Sequence, residues 1–129
     1  MHQYDVWLDL ECASGQAPEV VCTVFGKLSL PIRPMVGENL TLWSAQDSPV
    51  QFKVITVVGA QAVHYVGTTI DDVAHHIRPA KDESVITTTV RCRALEVASI
   101  ADARAVVAFL TVQHRFQLDP YATNKLEAS

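Results

Sequence analysis

Between residues 4 and 12 the chain alternates with a period of two. Tyr4, Val6, Leu8, Leu10 and Cys12 fall on one side, and Gln3, Asp5, Asp9 and Glu11 on the other. Successive strand residues point to opposite faces, so this pattern predicts a half-buried β-strand. Residues 13–18 supply turn formers, and a second alternating run follows over 20–30. There Val20, Cys22, Val24, Leu28 and Leu30 share a face, opposed by Glu19, Thr23, Lys27 and Ser29. The two runs read as an antiparallel hairpin with one long apolar face, and such a face needs a second layer to cover it.

The rest of the chain extends the sheet. Pro31 and Pro34 bracket an extended turn, because proline disfavours helical backbone in the residue before it. Short strands are predicted over 38–43, 51–58 and 62–66, the second of them apolar on both faces. Thr69 can cap a helix whose first turn holds Asp71 and Asp72. Ile70, Val73, Ala74 and Ile77 recur at helical spacing up to Pro79, which predicts a short connecting helix. A last strand runs over 84–97, with Ile86, Val90, Cys92 and Ala94 inward, Arg91 and Arg93 outward, and a phase slip at Leu95 that suggests a bulge. Those arginines complement Asp5, Asp9 and Glu11 if the first and last strands are neighbours. Ser99 and Asp102 form an imperfect capping box for a helix over 100–114, leaving a tail at 117–129.

The predicted fold is α+β in a single domain, 1–129. It has a strongly twisted antiparallel sheet or small open β-barrel of five to six strands within 3–97, a short connecting helix and a C-terminal helix packed on the sheet. With 49% hydrophobic and 19% charged residues the chain is globular rather than disordered. A net charge of −4 argues against a nucleic-acid partner. Neither a signal-peptide pattern nor a bilayer-length apolar run occurs, so the expected location is the cytoplasm and no membrane partner is expected. Cys12, Cys22 and Cys92 lack C-x-x-C spacing and read as core thiols, with a Cys12–Cys22 bridge as the alternative.

On a helical wheel the terminal helix carries two apolar stripes. Ile100, Ala103, Val106, Val107 and Leu110 form one; Ala101, Ala105, Phe109, Val112 and Phe116 form the other. A surface helix needs only one. The second is covered either by a loop of the same chain or by another copy, and the expectation is a homodimer. Trp7, Val21 and Phe25, on the polar sides of the first two strands, extend the apolar surface. The expected interface is Phe109, Val112, Phe116, Trp7 and Phe25.

Specific catalytic signatures are missing: there is no nucleophile elbow, P-loop or dinucleotide fingerprint, and no cofactor is expected. Asp71, Asp72, His75 and His76 are close in sequence. On a helix, however, the two histidines diverge by about 100°, so helix-cap electrostatics accounts for them better than a metal does. The leading expectation is a non-enzymatic binding module holding a small apolar or cationic ligand between sheet and helix. Its candidate lining is Trp7, Phe25, Trp43, Phe52, Tyr65 and Phe109, with Asp5 and Asp9 at the rim; core packing is the plainer role for each aromatic. One alternative is a small enzyme using His64 with Tyr65, or Asp71 with His75, as an acid–base pair. Another is a structural subunit that meets a different protein through Trp7 and Phe25.

Two stretches carry a family likeness. One is Arg33-Pro34-Met35-Val36-Gly37-Glu38-Asn39-Leu40 leading to Phe52-Lys53-Val54-Ile55-Thr56-Val57; the other is Ala105-Val106-Val107-Ala108-Phe109-Leu110 running to Phe116 and Asp119-Pro120-Tyr121. Together they resemble small bacterial proteins of unassigned function carried on the mobile gene cassettes of integrons. The resemblance implies a strongly bent sheet, a C-terminal helix, frequent dimerisation and an accessory role, and it transfers no catalytic residue.

Overall fold

A computed structural model describes residues 2–12, 17–31, 33–43, 52–56, 59–63 and 65–127. The two long alternating runs form β1 (His2–Cys12) and β2 (Glu19–Leu30), paired antiparallel from His2↔Leu30 to Cys12↔Glu19 with a register shift after Leu10. Further strands are β3 (Asn39–Trp43), β4 (Phe52–Thr56), β5 (Gly59–Val63), β6 (Tyr65–Pro79), β7 (Ser84–Cys92) and β8 (Leu95–Val97). Helix α1 (Ile100–His114) and the two-residue β9 (Gln117–Leu118) complete the order. Seven strands make one curled, open half-barrel in the order β3-β6-β7-β1-β2-β9, with β8 also on β1. The β4–β5 hairpin is separate.

The structure departs from the sequence expectations at three points. The sheet is mixed rather than antiparallel, because β7 and β8 both run parallel to β1. The connecting helix does not form: α1 is the sole helix among the described residues, and residues 65–79 are one long strand. Asp71 explains the misreading. The register of β6 against β7 shifts between Ile70 and Asp72, leaving Asp71 as the extra residue of a bulge. The bulge inverts the strand's phase, so that Ile70 and Val73 face the same side although three residues apart. Helical spacing was thus produced by a kinked strand, and the β-branched Thr68, Thr69, Ile70, Val73 and Ile77 fit that backbone well. Finally, the anticipated single strand over 84–97 is split at Arg93 and Ala94 into β7 and β8.

The core lies on the concave face. Val6, Leu8 and Leu10 of β1, Cys22 and Val24 of β2, Val90 of β7 and Ile70 of β6 are all at most 2% exposed. Helix α1 seats Ala103, Val106, Phe109 and Leu110 against them, each 0% exposed. Burying side chains of this size contributes about 1.5–3 kcal/mol for each larger one. The helix starts as expected, with the Ser99 side chain accepting from the Asp102 amide at 3.2 Å. It stops at Arg115, which adopts φ 61°, and the next residue, Phe116, turns into the core at 1% exposure.

The tail is part of the fold. Asp119 N–H donates to Thr23 O at 2.9 Å, Lys125 N–H donates to Val21 O at 2.7 Å, and Leu126 is 5% exposed. Phe116 lies directly over Gly26, where a Cβ would overlap its ring. Gly26→Ala is therefore expected to destabilise the chain by about 1–3 kcal/mol in a denaturant titration, through overpacking of a filled site.

Candidate functional site

At one end of the half-barrel the sheet outruns the helix. The concave face there is open, and it lines a cleft of about 750 Å³. Tyr4 of β1, 8% exposed, contributes to its wall, where the core ends. The β6–β7 ladder supplies two further rungs, His75↔Thr88 and Ile77↔Ile86. In the first, His75 Nδ1 and Thr88 Oγ1 share a hydrogen bond of 2.8 Å. In the second, both isoleucines are held in water, at 66% and 62% exposure. Arg33, from the turn after β2, and His2 add basic character to the lining. The cleft therefore joins an uncovered branched-apolar rung to the Arg33 guanidinium, a combination suited to a molecule with a hydrocarbon part and an anionic end.

The six aromatic candidates do not meet in one cavity. Trp7 and Phe25 are directly opposite on β1 and β2 and stack on each other at 4.7 Å and 23°. They sit on the convex face beside a groove of about 550 Å³ that Asp5, the expected acidic rim residue, lines together with Lys27 and Arg115. Trp43 and Tyr65 form a second cross-strand pair, centroids 4.7 Å apart, on β3 and β6. Phe109 is core. The side chain of Phe52 lies outside the described residues. Cross-strand aromatic pairs of this kind stabilise a ladder, and each ring in them has one face occupied by its partner.

The expected interface is also revised. Phe109 and Phe116 are 0% and 1% exposed within their own chain, so neither reaches a second one. The helix packs against β1, β2, β8 and β9 of the large sheet and against β4 of the separate hairpin, which together cover much of both stripes. Of the second stripe Ala101 and Val112 remain open, Val112 at 73% exposure. Trp7 and Phe25 stay half-buried on the convex face.

The acid–base candidates fare no better. Asp71 and His75 belong to a strand, where four residues span about 13 Å rather than one helical turn. His75 and His76, as neighbours on that strand, face opposite sides of the sheet. His64 lies outside the described residues, and Tyr65 is packed against Trp43. Among the described residues no three His, Cys, Asp or Glu side chains are grouped to hold a metal ion. The expected pairing of Asp9 with the last strand is present: Arg91 lies 3.7 Å from Asp9, whose other oxygen accepts from Thr23 Oγ1 at 2.6 Å.

Sequence reasoning missed the cleft because its parts come from four separated segments. Only Ile77 and Ile86, apolar residues flanking the polar turn at 80–83, gave a local signal. No helix among the described residues is long and apolar enough to cross a membrane.

All three cysteines are free. Burial pushes the Cys22 thiol up to about 12, helped by the Asp9 carboxylate, and the Cys92 thiol up to about 11, helped by Asp71. Neither is a thiolate nucleophile near neutrality. At pH 8 a disulfide reagent is expected to titrate at most Cys12 in the native chain, and all three thiols after denaturation. The two neutral thiols stabilise the fold fully below their unfolded pKa of about 8.5, and that contribution is lost as pH rises through about 11 and 12. Comparison with protein-family models, with curated proteins and with solved structures finds no match for this chain, so its functional reading rests on this geometry alone.

Proposed function

We propose that this chain is a non-enzymatic binding module, acting as a homodimer, whose concave cleft takes a small amphipathic anion such as a carboxylate bearing a short hydrocarbon tail. The observation that carries the reading is the Ile77–Ile86 rung. It is a paired, water-exposed apolar surface inside a concavity that also holds Arg33 and His2. The tail of the ligand covers the isoleucines and the wall at Tyr4, which removes apolar area from water. Its anionic end meets the Arg33 guanidinium, whose planar donors suit a carboxylate. The geometry favours an anion over the cationic ligand expected from the aromatic set. Of the enzyme alternative's two pairs, Asp71 and His75 are apart along β6, and His64 of the other lies outside the described residues.

Carboxylates with short hydrocarbon tails, titrated by calorimetry, test this reading. Arg33→Ala is expected to weaken binding about tenfold, the loss of one charge-assisted contact worth about 1.5 kcal/mol. Ile86→Asp should abolish it while leaving thermal stability nearly unchanged, because Ile86 is 62% exposed. Equal binding of the matching uncharged alcohol, or indifference to both substitutions, would refute the proposal.

A further inference from the structure

The two edges of β6 have different fates. β7 covers one edge from Ile70 to Pro79. On the other, β3 pairs only with residues 65–69, and Gly37 and Glu38 complete that pairing through hydrogen bonds of 2.8 Å to the Ile70 backbone. Among the described residues nothing pairs with the second edge beyond Ile70. The orientation of that free edge follows from the turn. Ala80 N–H donates to Glu83 O at 2.9 Å, so residue 80 directs its backbone towards β7. Backbone direction alternates along a strand, so Val73, His75, Ile77 and Pro79 turn theirs outward. Proline, which has no N–H to offer, stands at a position where the ladder to β7 asks for none.

From this edge we infer that two copies of the chain join β6 to β6, antiparallel, about a two-fold axis at His75, fusing two half-barrels into one continuous sheet. The inference rests on the homodimer reading above and names its surface. In this register Asp72 of one protomer stands opposite Arg78 of the other, twice by symmetry, on the convex face. Val73 stands opposite Ile77 on the concave face. Within the described residues neither Asp72 nor Arg78 has an ion-pair partner. The outward backbone groups of Val73, His75 and Ile77 meet those of Ile77, His75 and Val73 in the second copy, about six hydrogen bonds in all. Sliding the register by two residues sets Arg78 against Ala74 or against Ile70, and Ile70 is already bonded to Gly37 and Glu38. Charge complementarity thus selects one alignment of the edge with itself, where an exposed strand edge otherwise accepts any partner. The joined sheet also places the partner's Val73 beside Ile77, extending the apolar floor of each cleft.

Sedimentation over a wide concentration series tests the pairing. The native chain is expected to form a dimer. Asp72→Arg and Arg78→Asp should each raise the dimer dissociation constant at least about tenfold by setting like charges opposite each other twice. The double variant, Asp72→Arg with Arg78→Asp, should restore it, which a merely structural effect of either residue would not do. His75→Pro, which removes an outward N–H that bonds nothing within the chain, should also give monomer. A native dimer indifferent to all four variants would overturn this surface while leaving the homodimer reading intact. A monomer at every concentration would overturn both. Carboxylate binding measured on the native chain, whatever its oligomeric state, tests the cleft apart from these variants.

Discussion

Strand β1 is hydrogen-bonded along both edges, to β2 on one side and to β7 and then β8 on the other, and its alternate side chains are the floor on which the helix rests. Tyr4, Val6, Leu8 and Leu10 are between 0% and 8% exposed, so the concave face of this one strand is dry along most of its length. Everything else is arranged around it. The parallel approach of β7 carries Val90 to the level of Val6, and Arg91 within reach of Asp9. Helix α1 then covers the row, and Phe116 and Leu126 close it from the C-terminal side. A change that moved β1 by one residue would turn each of these apolar side chains to the convex face, and the core would not exist.

Curvature is the second constraint, and bulges produce it. The extra residue Val21 in β2 and the extra residue Asp71 in β6 each add twist where the ladder would otherwise run flat. The bent sheet takes the helix on one side and β4 of the separate hairpin meets it on another, so most of a helix with two apolar stripes is covered within a single chain. Curvature also limits coverage. The α1 helix fills the trough only partway, and beyond its reach the β6–β7 ladder carries Ile77 and Ile86 into water. The open cleft and the free strand edge are thus two consequences of one arm of sheet extending past its cover.

Much of the architecture was legible in the chain. The paired alternation of residues 4–12 and 20–30 specified the first hairpin and its buried face. Ser99 and Asp102 marked the start of the terminal helix, and the outward Arg91 and Asp9 announced neighbouring strands. Residues 69–79 carry a helical pattern yet form strand for a definite reason: a bulged strand and a helix both place Ile70, Val73 and Ile77 on one side. Hydrophobic spacing cannot separate those cases, because the bulge is visible only in the register with β7. The candidate site was less legible. Trp7, Phe25, Trp43 and Tyr65 have the size and chemistry of a ligand lining, yet these rings pair with each other across strands.

The sequence by itself determined the local elements wherever a strong period stood beside a clear terminus, and it determined that the terminal helix would need cover on more than one side. That much follows from side-chain geometry within one element, where neighbours in sequence are neighbours in space. Only the tertiary structure decided what supplied the cover, because Phe109 and Phe116 are buried by strands far away in the chain. It alone turned a helical pattern into β6, since the choice rested on backbone hydrogen bonds to β7. It also decided where function has room to act. His2, Arg33 and the Ile77–Ile86 pair lie far apart along the chain, and they come together because β1 takes its place between β7 and β2 in the sheet.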